Sequence, residues 1–280
     1  MDRYLNESLN IDIRAKELLI GEGVSWGKNI KVDINGVFRL GSYSRLGNNA
    51  EIFGNNITIG EHFFNSAGLR IGGGGRQNPE ANLAIGNRCT IHNNFINVCE
   101  AISIGDDVGL SPETSILTHG YWMSVLDGFP ASFSGVNIGN GVIVGYRSLI
   151  MMGVSIVDGC VIGAQSVVGH SLGRKGVYSG SPVRFVRPIE PLSLEDRVQK
   201  VGEILNAYES IANFHGISTK GKIKFCYPKV FFKDFVINVE SFEHDGNEDE
   251  ETDDFRDYMR RWGIRIYTKR GFVSKNPVHQ

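Results

Sequence analysis

Between Ile138 and Val168 the chain reads IGNGVIVGYRSLIMMGVSIVDGCVIGAQSVV. Every sixth position is a branched aliphatic: Ile138, Val144, Ile150, Ile156, Ile162 and Val168. Gly139, Gly145 and Gly163 follow three of them, and Val142, Ser148, Val154, Cys160 and Ser166 fill the fifth place of each unit. A period of six fits neither an amphipathic helix nor an alternating strand; it marks a solenoid. Each unit supplies one short strand and a corner. Three units close a triangular coil, and stacked coils bury a continuous aliphatic column.

The same register runs backwards through Ile116, Leu110, Ile104, Ile91, Ile85, Ile71, Ile59, Ile52, Leu46 and Leu40. It slips near residues 53–58, 73–84, 97–103 and 118–137. A slip in a solenoid is a loop bulging from a corner while the coils above and below stay in register. The longest is expected to protrude from Gly120 to Asn137, and long loops on rigid scaffolds are where function concentrates. The insert GGGGRQNP at 72–79 lacks the Gly-Lys-Ser/Thr ending of a phosphate loop and opens no helix, so it reads as a flexible loop between coils.

The 280 residues suffice for one sizeable domain and an appendage. Thirty-five glycines against eight prolines suit a solenoid with glycine at many corners. A formal charge of −2, without a basic stripe, argues against nucleic acid as a partner. No stretch of about 18 apolar residues predicts a transmembrane segment. Residues 1–29 lack a signal-peptide core and read as a short polar helical segment. Cys89, Cys99, Cys160 and Cys226 have no metal-ligand spacing, so no metal is expected. Cys89 and Cys160 take the fifth place of a unit and are expected as small buried core residues in a reducing, cytoplasmic compartment.

Pro182, Pro188 and Pro191 punctuate the exit from the repeats. Beyond them Leu194, Val198, Val201, Leu205, Tyr208 and Ile211 share one helical face, with Ser193 suited to its start and Gly216 to its end. A β-like run follows, then the acidic stretch EHDGNEDEETDD, expected as a solvated loop, and a last piece expected as a short helix and a strand. The chain thus divides into residues 1–29, a mainly β solenoid over 30–190 with its loop at 120–137, and an α+β extension over 191–280.

From His119 to Pro188 the segments ILTHG, the repeat quoted above and VYSGSPVRFVRP resemble the hexapeptide-repeat acyltransferases, and within them the sugar and antibiotic O-acetyltransferase branch. The resemblance implies a left-handed parallel β-helix, an exception to the usual right-handed crossover. It implies a homotrimer with active sites between subunits and acetyl-CoA as co-substrate, with no permanently bound cofactor. His119 matches the family's general base. Tyr146, following Gly145, matches the backbone donor for the oxyanion, and Ala164 a second backbone contact to the pantetheine arm. Arg184, Arg187 and Lys175 are the candidates for the CoA phosphates, with Arg174 nearby. Asn93, Asn94, Glu100 and Trp122 are the acceptor candidates.

The chain departs from the family pattern in two places. Gly120 and Tyr121 follow His119 where many relatives carry a second histidine, and Ile143 stands where an aromatic often closes over CoA. The loop's Trp122, Phe129 and Phe133 either replace that aromatic or pack the loop onto the solenoid.

The implied reaction is acetyl transfer to a saccharide hydroxyl in surface polysaccharide or glycan biosynthesis. N-acetylation of an amino sugar or nucleotide sugar is the nearest alternative. A zinc hydratase on the same fold needs three histidines, for which only His92 stands about a coil from His119. A non-catalytic scaffold is the third alternative.

Overall fold

The computed structural model describes residues 1–275, and it is mainly β. Successive short strands fall into three sheets visited in rotation. Ile30–Ile34 lies in the first, Val37–Leu40 in the third and Arg45–Leu46 in the second, before Glu51–Gly54 returns to the first. The rotation continues to Val167–Val168, and with the strands that flank it the three sheets count nine, nine and seven strands among the described residues. Neighbours pair in parallel, Val144 with Ile162 and Ile150 with Val168, so eighteen residues return the chain to the same sheet one layer on.

The aliphatic register is the core. All six aliphatics from Ile138 to Val168 are at most 3% exposed, and the ten from Leu40 to Ile116 at most 4%. Each such side chain contributes about 1.5–3 kcal/mol when fully buried. The polar fifth-place residues are buried with their hydrogen bonds made. Ser148 Oγ donates to the Gly163 carbonyl at 3.0 Å and accepts the Ser166 N–H at 3.2 Å; Ser166 Oγ does the same for Gly163 at 2.7 Å and Gly180 at 3.1 Å. These hydroxyls stitch one coil to the next, as buried polar groups must. Cys89 and Cys160 are buried as expected, and burial pushes the Cys89 thiol up to about 12, so it packs as a small hydrophobe.

The start of the chain is not helical. Asp2–Asn6, Ile11–Ala15, Glu17–Ile20 and Ser25–Trp26 are strands, with only a single 3-10 turn at Glu7–Leu9. The rotation begins at Ile11, which pairs in parallel with Ile30, ahead of the expected start at residue 30. These first coils return after 19 and 20 residues (Ile11 to Ile30, Val32 to Ile52), so a six-residue ruler drifts off them although Ile11, Ile13 and Ala15 are as buried as the later core. Asp2–Asn6 folds back antiparallel on Ile11–Ala15, and Arg184–Arg187 folds back antiparallel on Val177–Ser179. Both antiparallel returns stand last in their sheets, where an unpaired strand edge would otherwise remain.

The chain divides into two compact units, Met1–Ile189 and Glu190–Gln280; the last five residues of the second lie outside the described ones. Its first helix, α1 (Leu194–Phe214), begins where Ser193 accepts the Asp196 N–H. Val201, Leu205 and Tyr208 of the expected face are buried, together with Ile204 and Ala212, whereas Leu194 and Val198 are exposed. A four-stranded antiparallel sheet follows over Ile223–Cys226, Lys229–Phe232, Phe235–Asn238 and His244–Asp245.

The acidic stretch is not a solvated loop. It supplies the last of those strands and then α2 (Glu250–Arg260), opened by a capping box between Asp249 and Thr252. Asp253, Asp254 and Asp257 are buried because each finds a partner, Asp253 in Arg256 at 2.7 Å and Asp257 in Arg260 at 2.6 Å. Asp254 accepts the Tyr208 hydroxyl at 3.0 Å and the Lys275 N–H at 2.8 Å, with His215 Nδ1 at 2.7 Å. No strand follows α2 among the described residues; instead the fully buried Arg256 donates to the carbonyls of Ile266, Arg270 and Gly271 and holds that irregular segment.

Candidate active site at the His119 corner

All four register slips fall at one place in the coil, the corner between the first sheet and the third. They follow Glu51–Gly54, Arg70–Gly72, Phe95–Asn97 and Ser115–Ile116. The inserted residues therefore stack on one another, and the last of them begins at His119. His119 and Gly120 pair antiparallel with Phe133 and Ser132, so the long loop is a hairpin; Val136 and Asn137, expected in the loop, already belong to the next strand.

The hairpin gathers three rings. The His119 imidazole lies 5.9 Å from the Phe133 ring at 10° and 5.6 Å from Tyr121, and Tyr121 lies 5.3 Å from Phe133. His119 is half-buried, and its Nδ1 is buried without a hydrogen-bond partner among the described residues. A buried ring nitrogen without a partner is costly, and such atoms call for a functional reason. Beyond the three rings the hairpin does not pack down: Trp122 is 90% and Leu126 93% exposed, and Phe129 is exposed as well.

Opposite the imidazole stands the glycine run, which is not a loose loop. Gly72, Gly73, Gly74 and Gly75 all have positive φ, from 82° to 129°, a path that L side chains rarely follow. Asn97 Nδ2 donates to the carbonyls of Gly72 at 3.2 Å and Gly73 at 3.0 Å. Gly75 packs on Cys99, where a Cβ would come within 2.5 Å of Cys99 Cα. Asn78 donates to Cys99 O and Glu100 Oε1, and Arg76 pairs with Asp33 at 2.9 Å. At Gly74 a Cβ would meet only His119 Cε1, at 3.8 Å. Sequence reasoning missed this run because it tested the glycines as a phosphate loop. The usable signal is that they slip at the same corner as His119, two coils earlier.

The proposed donor residues occupy another corner, between the second sheet and the first. Tyr146 follows Ile143–Val144 and Ala164 follows Val161–Ile162, and these strands pair in register. Gly145 lies directly on the next coil: a Cβ there would come within 2.5 Å of Ala164 N, and Gln165 N–H bonds the Tyr146 carbonyl at 2.7 Å. Gly145→Ala is therefore expected to force the two coils apart and to destabilise the protein by about 1–3 kcal/mol, the cost of overpacking. A melting temperature equal to that of the parent would contradict this. The Tyr146 hydroxyl meets Glu113 at 3.1 Å, and the hydrogen bond from Arg147 to Glu113 holds that carboxyl below its usual range.

Arg184, Arg187, Lys175 and Arg174 are exposed, and none forms an ion pair among the described residues. Arg174 lies over the Phe185 ring at 4.3 Å, and Lys175 lies along Gly159. Their charges are thus available on the surface.

The acceptor candidates divide. Glu100 is at the His119 corner one coil below, its N–H bonded to Thr118 Oγ1 at 3.2 Å. Asn93 and Asn94 are not there; they turn the chain between Thr90–Ile91 and Phe95–Asn97, at the Tyr146 corner. Asn94 is 1% exposed and fully engaged, accepting the His92 N–H and donating to the carbonyls of Ser111 and Thr114. It is a corner residue. His92 also turns at that corner, its Nδ1 2.9 Å from Ser66 Oγ, and burial lowers its pKa. The two histidines of the hydratase alternative thus stand at different corners. Among the described residues, no group of three His, Cys, Asp or Glu side chains is placed to hold a metal.

No protein-family model and no curated protein matches the chain. Among solved structures it is similar to a maltose O-acetyltransferase from Clostridium difficile 630, with 24% identity over 64% of this chain and 70% of that one and a TM-score of 0.34. It is similar to the polysialic acid O-acetyltransferase OatWY, with 22% identity over 66% and 91% and a TM-score of 0.44. A mutant of AntD, an N-acyltransferase from Bacillus cereus in complex with dTDP and coenzyme A, shares 19% identity over 73% and 98% with a TM-score of 0.38.

Proposed function

We propose that this chain is an acetyl-CoA-dependent acetyltransferase that O-acetylates a saccharide hydroxyl, built on a left-handed parallel β-helix and acting as a homotrimer. The observation that carries the reading is His119. Its imidazole is held by two rings at the corner where all the inserted loops stack, with a buried ring nitrogen lacking a partner among the described residues. Beside it lies the bare backbone of Gly74, where a built Cβ would meet only the His119 ring.

In the proposed reaction the imidazole takes the proton of the acceptor hydroxyl as its oxygen attacks the thioester carbonyl. The tetrahedral oxyanion is met by the Tyr146 N–H, a preorganised dipole. Collapse breaks the C–S bond, and the imidazolium returns its proton to the CoA sulfur. Base and oxyanion donor occupy different corners of one chain, so they meet only if the His119 corner of one subunit faces the Tyr146 corner of the next. A closed three-fold ring of triangular coils does this, and it is why the site is assigned to the interface between subunits. Ala164 would carry the pantetheine contact one layer on. Arg184, Arg187 and Lys175 would meet the phosphates, and Glu100 and Trp122 the acceptor side. No helix among the described residues is long and apolar enough to cross a membrane; a role in cytoplasmic glycan biosynthesis is part of the proposal.

The test is direct. CoA is expected to raise the melting temperature, since a ligand that binds only the folded state stabilises it. Free thiol is expected to be released from acetyl-CoA in the presence of one member of a panel of sugars, nucleotide sugars and oligosaccharides. Absence of both, at saturating acetyl-CoA, would sink the enzyme reading. Release with an amino sugar alone would replace O- by N-acetylation.

A further inference from the structure

We propose that the glycine run Gly72–Gly75 is the acceptor-facing wall of the His119 site, and that Asn97 is the positioning residue that sets this wall against the base. The inference rests on the acetyltransferase reading and names what lies on its acceptor side.

Asn97 is 3% exposed, and its carboxamide is divided between two elements. On one side Oδ1 accepts the Thr118 N–H at 3.3 Å, and the backbone carbonyl of Asn97 accepts Thr118 Oγ1 at 2.9 Å. Thr118 is the residue immediately before the base, and it is fully buried. On the other side Nδ2 donates to the carbonyls of Gly72 and Gly73. One side chain therefore ties the strand that presents the imidazole to the loop that faces it. The tie is specific to a carboxamide, because one end must accept and the other must donate twice.

The wall itself is selective through what it lacks. Gly73 and Gly75 press on Phe95 and Cys99, so a side chain there would displace the loop. Gly74, by contrast, has only the His119 ring carbon within reach of its missing Cβ, and it is exposed. Close to the base lie the bare backbone of Gly74 and the half-exposed rings of Tyr121 and Phe133. A sugar ring suits that pair of surfaces. Its hydroxyls can bond peptide N–H and C=O groups, and its C–H faces lie against aromatic rings.

The experiment uses the full chain with Asn97→Asp, which keeps size and acceptor oxygen but cannot donate to Gly72 and Gly73. Hydrogen exchange over 72–78 is expected to accelerate while the repeat 138–168 stays protected. In turnover assays the CoA-dependent thermal shift and the KM for acetyl-CoA are expected to be unchanged. The KM for the active saccharide should rise and kcat fall, together by about 10²-fold, the scale of a misplacement of about 1 Å. Should Asn97→Asp not fold, Asn97→Ser removes the carboxamide without adding charge and makes the same measurement. Faster exchange over 72–78 with saccharide KM and kcat both within two-fold of the parent would overturn the acceptor wall. Unchanged exchange would overturn the tether. A parent protein that acetylates no saccharide defeats the functional reading and the acceptor role together, while the exchange rates still judge Asn97.

Discussion

Replacing His119 by alanine is expected to lower acetyl transfer by about 10²–10⁴-fold, the usual contribution of a positioned general base. The effect should fall on kcat. The proposed CoA contacts are backbone groups at Tyr146 and Ala164 and surface cations at Arg184, Arg187 and Lys175, none of which contacts the His119 ring. The thermal shift on CoA binding should therefore survive. The fold should survive as well, since His119 sits at a hairpin base that keeps its antiparallel pairing through Gly120 and Ser132. The Tyr121–Phe133 contact at 5.3 Å remains to hold the hairpin together. Full activity in His119→Ala would refute the assigned base. Loss of CoA binding in the same variant would mean that the imidazole serves the donor instead.

The largest effect on stability is expected in the second unit, from Arg256→Met. The arginine side chain is fully buried, pairs with Asp253 at 2.7 Å and donates to three carbonyls of the segment that follows α2. Methionine fills much of the volume but takes the donor from the Ile266 and Gly271 carbonyls, leaves the Arg270 carbonyl with Thr268 Oγ1 alone, and removes half of the Asp253 pairing. Breaking a buried pair by removing one partner costs about 3–5 kcal/mol. Because Arg270 still reaches Asp253 at 2.5 Å, the loss should lie at the lower end of that range. The check is denaturant unfolding with hydrogen exchange read separately over 190–275 and over the repeats. Exchange should accelerate over 264–272 first and leave 138–168 untouched. A change below about 1 kcal/mol, the range of exposed pairs, would show that the network adds little.

The repeats and the second unit differ in how much of them is legible. In the repeats each side chain's fate follows from its place in a six-residue unit, because every coil presents the same surroundings. Ser148 and Cys160 could be assigned to the core from position alone. The first coils escaped the ruler for a local reason, since one or two added residues per turn break the count without altering the burial of Ile11 and Ile13. The acidic stretch was misjudged for a different reason. Charge density predicts solvation only when the counter-charges are absent, and here Arg256 and Arg270 arrive on Asp253 from later in the chain. Arg256 lies two residues past EDEETDD, but Arg270 lies sixteen past it and reaches Asp253 only through the tertiary fold.

The site divides along the same line. His119 became a candidate through the break in register and the resemblance it completes, and the stacking of Tyr146 beneath Ala164 followed from an interval of eighteen. Asn94 and Asn97 show the limit. Both are asparagines near a corner, three residues apart, yet they turn at different corners: Asn94 closes its own turn, while Asn97 reaches the glycines and Thr118. Composition and spacing treat them alike.

By itself, then, the sequence determined the periodic part of this protein: a column of aliphatics in three sheets, the corner residues that stack and the point where a long loop leaves. It could do so because a repeat makes local pattern and tertiary contact the same information. Only the tertiary structure decided what faces His119. The slips of the first, second, third and fourth inserts are separate events along the chain. They become one surface because each occurs at the same corner of its coil, and a contact between residues 74 and 119 has no signature in either segment alone.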